Sequence, residues 1–193
     1  GLSLWVAQIP SGELKQLTEA VLNATYGNPC DWLPGDQGLI CKMVPAELGA
    51  PPAAASLPAG PRVEENLGRA TPARTYSNLL QSPHDEALFE HFLTSALVRI
   101  DLDGTQSPLV SPSLVDEASV SPDGKWLLVD TIERPFSYQV PVSRFPKRMV
   151  VLPLEKPDSA TVLAELPLAD DIPVPFGSVR TGRKQPLARH GSR

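Results

Sequence analysis

Apolar and polar residues alternate over short stretches of this chain, and the stretches end at turns rich in glycine, proline or aspartate. The clearest case is residues 121–129, in which Ser-Pro-Asp-Gly precedes Lys-Trp-Leu-Leu-Val. Pro122 presets φ for the second position of a turn, and Gly124 takes the positive φ that ends it. The pattern therefore predicts a tight turn at 121–124 and a strand that enters a core from Trp126 onward.

The same hairpin pattern recurs along the chain. Residues 31–41 contain an apolar lead-in, a Pro/Gly/Asp turn and an apolar exit, and residues 4–12 resemble 96–104. Repeated strand pairs with glycine turns between them are typical of β-propeller blades, which repeat about every 40 to 50 residues. The sequence thus predicts an all-β chain that forms a partial β-propeller of about two to three blades.

A different composition and period interrupt the strands. Residues 45–74 are rich in alanine, proline and glycine, which do not sustain a strand ladder. From 75 to 95 apolar residues recur at helical intervals, Ser82 or Asp85 can cap a helix, and Pro83 suits a first turn. We expect a short helical insertion with one helix near 76–81 and another near 84–94.

Strands resume after the insertion and define the expected organisation. From 97 to 132 the pattern predicts strand, turn, strand, loop, strand, turn and strand, and further strands follow an aromatic and basic excursion. The expected segments are a blade at 1–44, the Pro/Ala-rich loop and helical insertion at 45–95, blades at 96–179 with an Arg/aromatic hairpin at 133–148, and a basic, unstructured tail at 180–193.

Composition agrees with many short strands and argues against two classes of partner. The chain has 22 prolines and 13 glycines, and its 17 basic and 22 acidic residues leave a net charge of −5. Affinity for a nucleic-acid backbone is therefore not expected. A bilayer span is not expected either, because no run of about 18 apolar residues occurs. The opening Gly-Leu-Ser-Leu-Trp-Val-Ala reads as the middle of a strand, so we expect a piece of a larger polypeptide.

The two cysteines flank the turn at 34–38 almost symmetrically. A hairpin there places Cys30 opposite Cys41 across two strands, which permits a disulfide without requiring one. The alternative is that both are small apolar strand residues in a reducing compartment. The sequence leaves both interpretations open.

The three histidines predict no metal site, and no cofactor is expected. His84 and His91 are seven residues apart, whereas a helical zinc pair uses a spacing of about four residues. A solvated helix face is the simpler interpretation. The pair Asp170-Asp171 is interpreted as loop carboxylates, because nothing nearby supplies an environment that raises the pKa of a general acid.

Several segments resemble the amino-terminal propeller of glutamyl endopeptidase-like serine peptidases, which belong to the prolyl oligopeptidase family. The resemblance covers about residues 1–182. Its most specific part is the segment 133–148, which generic propellers lack. The other matching segments are 49–52, 74–76, 83–89, 121–124 and 166–169.

The resemblance implies serine-type proteolysis by a separate α/β-hydrolase domain, in which a Gly-x-Ser-x-Gly elbow presents the nucleophile and a downstream Asp and His complete the triad. No serine of this chain is flanked by both glycines, so no catalytic residue is assigned and the chain alone is expected to hydrolyse nothing. Its implied role is to select the peptides that reach the missing domain.

Preference for cleavage after glutamate, which the resemblance implies, requires a cationic pocket. Arg134 and Arg144 are the candidate substrate-binding residues, because a guanidinium binds a carboxylate through two parallel hydrogen bonds. The alternative is that both arginines make structural pairs, between strands or with Glu133.

A competing functional hypothesis is a stand-alone propeller module for protein interaction, without enzymatic activity. Closed propellers have at least about four blades, so the incomplete ring is expected to expose strand edges and to self-associate. The compartment is not fixed by the sequence: the resemblance is compatible with the bacterial cytoplasm or periplasm, or with the plastid stroma if the source is plant-like.

Overall fold

The computed structural model describes residues 1–53, 76 and 78–170. Residues 54–74 of the loop expected at 45–74, residues 171–179 of the expected blades and the expected basic tail at 180–193 lie outside these residues. Within them the chain forms one α-helix, α1, at Pro83–Leu93 and nine strands. The strands are β1 (Trp5–Ala7), β2 (Leu14–Gln16), β3 (Cys30–Trp32), β4 (Leu39–Met43), β5 (Thr94–Ile100), β6 (Gln106–Val120), β7 (Trp126–Ile132), β8 (Lys147–Pro153) and β9 (Thr161–Leu166).

The strands form two antiparallel sheets. β1 and β2 pair with each other, and β3 to β9 form a seven-stranded sheet in which each strand lies beside its neighbours in sequence. The predicted all-β class is confirmed at this level, and the described strands do not close into a ring. In the described part of the chain no helix is long and apolar enough to cross a membrane.

β6 belongs to both halves of the large sheet. Its residues from 106 to 114 pair with β5, and those from 115 to 120 pair with β7, with a register shift between Val115 and Glu117. The predicted strand, loop and strand are therefore wrong here, because one strand of 15 residues replaces them. Pro108 and Pro112 fit this strand because its first half has a described partner, β5, on one side only.

The turn at 121–124 is confirmed. The Gly124 amide donates to the Ser121 carbonyl at 2.9 Å, and Gly124 has a φ of 70°. The expectation that Trp126 enters the core is wrong, because this residue is 46% exposed while Leu127 and Val129 are buried. Successive side chains of a strand point to opposite faces, so burial of Leu127 and Val129 leaves Trp126 on the other face.

The helix near 84–94 is confirmed as α1, with small differences at its ends. Ser82 is the N-cap and its hydroxyl accepts from the Asp85 amide at 3.2 Å. The helix expected near 76–81 is wrong for the described residues 76 and 78–81, which are not helical. Asn78 has a φ of 60°, a left-handed value that an α-helix excludes. α1 ends at Leu93 and β5 begins at Thr94, with no loop between them.

Three apolar clusters form the core. The first contains residues from both halves of the large sheet, which therefore pack against each other: Leu33, Ile40, Leu97, Leu109, Val115, Leu127, Val129, Leu152 and Leu154. The second joins β4 and β5 to the amino-terminal segment through Leu17, Leu22, Leu39, Cys41, Met43 and Ile100. The third packs α1 onto the segment after β7 through Leu93, Ile132, Phe136, Val140 and Phe145.

Candidate functional site

A cavity of about 840 Å³ lies between the first strands of the two halves of the large sheet. We call it the β3–β6 cavity. One wall consists of residues 26–29, Asp31 and Trp32, and the opposite wall consists of residues 116–122. Side chains of the first core cluster and one charged residue form its floor: Ile40, Lys42, Leu97 and Leu127.

The first wall is fixed to the sheet by β3 and its flanking loop. The Asn28 side chain donates to the Cys30 carbonyl at 2.7 Å and to Asp31 Oδ1 at 3.2 Å. Cys30 and Cys41 are register partners on β3 and β4 and are joined by a disulfide with an S–S distance of 2.08 Å. Of the two interpretations that the sequence left open, the structure thus contains the cross-strand disulfide. It holds β3 beside β4 and so supports Asp31 and Trp32 in the wall.

Lys42 is the charged residue of the floor and is only 6% exposed. Its ammonium group donates to the Tyr26 carbonyl at 2.6 Å, and its amide donates to the Pro29 carbonyl at 2.7 Å. Burial lowers the pKa of Lys42, and the negative charge of Asp116 is the largest opposing influence. Lys42 therefore anchors the loop that begins the first wall.

Asp116, in the second wall of the cavity, forms an ion pair. The Lys147 ammonium binds Asp116 Oδ2, and both side chains are largely buried. Burial raises the pKa of Tyr26, and the charge of Asp116 and a hydrogen bond with it raise this pKa further. The Tyr26 hydroxyl therefore stays protonated at neutral pH and is available as a donor to Asp116.

The cavity combines an apolar floor, two aromatic side chains and several carboxylates, which is the chemistry of a binding site. In the described ranges no group of three or more His, Cys, Asp and Glu residues is arranged to hold a metal ion. The sequence pattern did not identify this cavity. One signal was present, because Lys42 interrupts the otherwise apolar run Leu-Ile-Cys-Lys-Met of β4, whose residues are all buried.

Arg134 lies outside the β3–β6 cavity and binds the helix α1. Its Nη1 donates to Glu86 Oε2 at 2.9 Å and its Nε donates to Glu90 Oε1 at 2.7 Å. The guanidinium carbon also lies 4.6 Å from the centre of the Phe136 ring. Hydrogen bonds to Glu90 and then Glu86 raise the pKa of Arg134, while its side chain remains 53% exposed.

Glu86 and Glu90 are the carboxylates of α1 that bind Arg134. Hydrogen bonds from Tyr138 and then Arg134 lower the pKa of Glu86 below its ordinary value. Glu86 and Glu90 are four residues apart and therefore lie on the same face of α1. These contacts differ from the structural alternative considered for Arg134, since Glu133 instead accepts a hydrogen bond from the Thr131 hydroxyl at 2.7 Å.

Arg144 is 7% exposed. Its Nη1 donates to the Ala169 carbonyl at 3.2 Å, and the Ala169 amide donates to the Arg144 carbonyl at 3.0 Å. Arg144 thus ties the segment 133–148 to the chain that follows β9. Neither Arg134 nor Arg144 is among the residues that line the β3–β6 cavity.

Aromatic packing gives the segment 133–148 its shape. The rings of Phe136 and Phe145 stack with centroids 5.4 Å apart, and Phe89 of α1 packs edge-on against both at 5.1 and 5.9 Å. Phe136 and Phe145 are both buried in the third core cluster.

Comparison with known proteins finds relatives of one kind, while no protein-family model matches the chain. The chain is 37% identical over 187 residues, which is 95% of its length, to the "Probable glutamyl endopeptidase, chloroplastic" of Oryza sativa subsp. japonica. It is a homologue of that protein. The chain is also 33% identical over 185 residues to the protein of the same name in Arabidopsis thaliana. It spans about a fifth of the length of these glutamyl endopeptidase homologues, 20% and 19% respectively.

Proposed function

We propose that this chain is a non-catalytic propeller portion of a glutamyl endopeptidase-like serine peptidase of the prolyl oligopeptidase family. The observation that carries the proposal is the 37% identity over 95% of the chain to a protein of which the chain spans 20%. A separate α/β-hydrolase domain supplies the Ser-Asp-His triad in such an enzyme. The chain itself then contributes substrate selection rather than bond cleavage.

The arrangement of the strands supports the propeller part of this proposal. β3 to β6 form one antiparallel meander of four strands and β6 to β9 form a second, with β6 common to both. Propeller blades are four-stranded antiparallel sheets that pack against each other, and the first core cluster contains residues of both meanders, which supports this proposal. In the proposed whole protein, further blades complete the ring.

The contacts of the two arginines give them different proposed roles. Arg144 is enclosed and bonded to the backbone, so we assign it to holding the segment 133–148. Arg134 is half exposed and already binds two carboxylates. It therefore remains the candidate for contact with a substrate glutamate, which would exchange with Glu86 or Glu90.

The partners and compartment follow from the same proposal. The proposed partner is the peptide substrate of the separate hydrolase domain, and the unpaired edges of an incomplete propeller are proposed to promote self-association. Both homologues are named as chloroplastic, so the plastid stroma is the proposed compartment if the source is plant-like.

The complete coding sequence tests the proposal directly. A downstream Gly-x-Ser-x-Gly followed by an Asp and a His is the expected result. Additional hairpin repeats followed by a stop codon would instead support the stand-alone interaction module. In parallel, the 193-residue chain is incubated with glutamate-containing peptides and with a fluorophosphonate probe for reactive serines. We expect neither cleavage nor labelling, and either signal would contradict a non-catalytic role.

Substrate selection is tested in the whole enzyme with Arg134→Ala. Arg99→Ala is the matched control, because Arg99 also pairs with a carboxylate, Asp101 Oδ1 at 2.8 Å, and lies outside the segment 133–148. If Arg134 contacts substrate, kcat/KM falls more for peptides cleaved after glutamate than for other peptides. An equal loss for all peptides would show that Arg134 only fixes the segment to α1.

A further inference from the structure

The second half of β6 is a strand edge. From 115 to 120 this strand pairs with β7, and no other described strand pairs with these residues. The Ser121 amide donates to the Trp126 carbonyl at 2.9 Å. Backbone groups alternate in direction along an antiparallel ladder, so Ala118 and Val120 point their N–H and C=O groups away from β7.

This edge faces the β3–β6 cavity. Every residue from 116 to 122 lines the cavity. A strand that turned one face to a cavity would line it with alternate residues only, because its side chains alternate between two faces. The continuous lining therefore places the edge of β6, rather than one of its faces, along the cavity.

The opposite wall provides groups that suit a cation. Tyr26 and Trp32 are partly exposed aromatic residues, and Asp31 directly precedes Trp32 on β3. The lining includes three carboxylates, Asp31, Asp116 and Glu117, and one cation, Lys42, whose ammonium is bonded to a backbone carbonyl. Asp116 pairs with the Lys147 ammonium, so the attraction for a ligand cation is assigned to Asp31. Aromatic faces and carboxylates both attract ammonium and guanidinium groups.

We propose that the β3–β6 cavity binds an extended peptide segment of a partner protein, which adds as a strand to the β6 edge and places a lysine or arginine side chain beside Asp31 and Trp32. Strand addition supplies affinity through main-chain hydrogen bonds, and pockets beside the edge supply specificity. This inference stands on the cavity, the edge and the charges, and it does not rest on the proposed peptidase function.

Peptide binding to the 193-residue chain is the first test. The probe is a fluorescein-labelled peptide of about nine residues in which valine and lysine alternate, followed by fluorescence anisotropy. A second peptide has glutamine in place of lysine, and a third keeps lysine but carries N-methyl groups on alternate amides. We expect binding about tenfold weaker for the glutamine peptide and at least about tenfold weaker for the N-methylated peptide. Equal binding of the N-methylated peptide would refute strand addition.

Variants of the chain test the two walls separately. Ala118→Pro removes an N–H that points away from β7 and leaves the bonds to β7 in place, so the lysine peptide should bind about tenfold more weakly. Asp31→Asn should weaken the lysine peptide several-fold and leave the glutamine peptide unchanged. Asp158→Asn, in the connection between β8 and β9, is the matched control and should change neither.

Two measurements distinguish strand addition from misfolding of the variant and from self-association of the chain. Circular dichroism shows whether Ala118→Pro is folded. The N-methylated peptide tests strand addition on the unaltered chain and so does not depend on the folding of a variant. Sedimentation velocity shows whether a second copy of the chain occupies the edge. A dimer that Ala118→Pro converts to monomer, with no peptide binding by either form, would overturn the proposal in favour of self-association.

Discussion

Reduction of the Cys30–Cys41 disulfide should destabilise the chain and loosen one wall of the β3–β6 cavity. The two cysteines are 11 residues apart in sequence. β3 has three residues and pairs with β4 only among the described strands. The covalent link is therefore a large share of what holds β3, together with Asp31 and Trp32, in position.

The expected magnitude follows from the length of the closed loop. A disulfide that closes a loop of this length removes conformational entropy from the unfolded chain worth about 3 kcal/mol. Because the slope of unfolding free energy against urea is about 2 kcal/mol per molar for a chain of this size, reduction should lower the urea midpoint by about 1.5 M.

Urea unfolding followed by circular dichroism measures this change in oxidised and dithiol-reduced protein. The double variant Cys30→Ala/Cys41→Ala is the control, because its urea midpoint should not respond to the reductant. A thiol reagent should find no reactive thiol in the oxidised, unfolded chain and two after reduction. Two thiols before reduction, or a change in unfolding free energy below about 1 kcal/mol, would refute the reasoning.

Three further predictions concern the core, the cavity floor and the contacts of Arg134 with Glu86 and Glu90 of α1. Leu127→Ala should cost about 3 kcal/mol of unfolding free energy, because Leu127 is fully buried between the two halves of the large sheet; urea unfolding measures it, with exposed Leu163→Ala as the control. Lys42→Met should lower the unfolding free energy by about 1 kcal/mol in the same assay, because it removes the hydrogen bond from the Lys42 ammonium to the Tyr26 carbonyl. The pKa of Glu86, followed by NMR titration, should lie below its ordinary value and should rise in both Tyr138→Phe and Arg134→Ala, since hydrogen bonds from Tyr138 and then Arg134 lower it. Because the folded pKa is lowered, the stability that Glu86 contributes is present above its unfolded pKa, about 4.3, and is lost as the pH falls through the folded value.

Each of these predictions can fail in a specific way. Equal losses for Leu127→Ala and Leu163→Ala would show that the two halves do not pack as described. A more stable Lys42→Met would mean that the cost of burying the charge outweighs the hydrogen bond to Tyr26. An unchanged pKa of Glu86 in Tyr138→Phe would show that the hydrogen bond from Tyr138 does not lower this pKa.

Features decided by a few neighbouring residues could be predicted from the sequence. The turn at 121–124 is fixed by the order Ser-Pro-Asp-Gly, and the start of α1 is fixed by Ser82 and Pro83. The hairpin around 34–38 likewise needed only its Pro/Gly/Asp turn and the apolar residues on both sides. In each case the decisive interactions span fewer than about six residues.

Predictions failed where distant residues decide the conformation. The spacing of Tyr76, Leu79 and Leu80 suits a helix, but Leu80 packs against the third core cluster and Asn78 takes a left-handed φ. The loop expected within β6 is a strand because β5 and β7 lie beside its two halves, and no local pattern specifies those neighbours.

The candidate site was predictable only in part, for the same reason. Glu86 and Glu90 bind Arg134 across 48 and 44 residues of sequence, so the sequence allowed a structural pair for Arg134 but could not identify these partners. The β3–β6 cavity joins loop residues near 26–29 to residues 116–122. That contact depends on the pairing of the two halves of β6 with different strands, which the alternation of residues does not encode.

The sharing of β6 between the two halves of the large sheet determines how the chain unfolds. Detaching β3 to β5 would leave the first half of β6 without its partner β5. Detaching β7 to β9 would leave the second half of β6 without its partner β7. The halves therefore melt as a single cooperative unit rather than as two independent modules. The first core cluster, which contains residues of both halves, adds to this coupling.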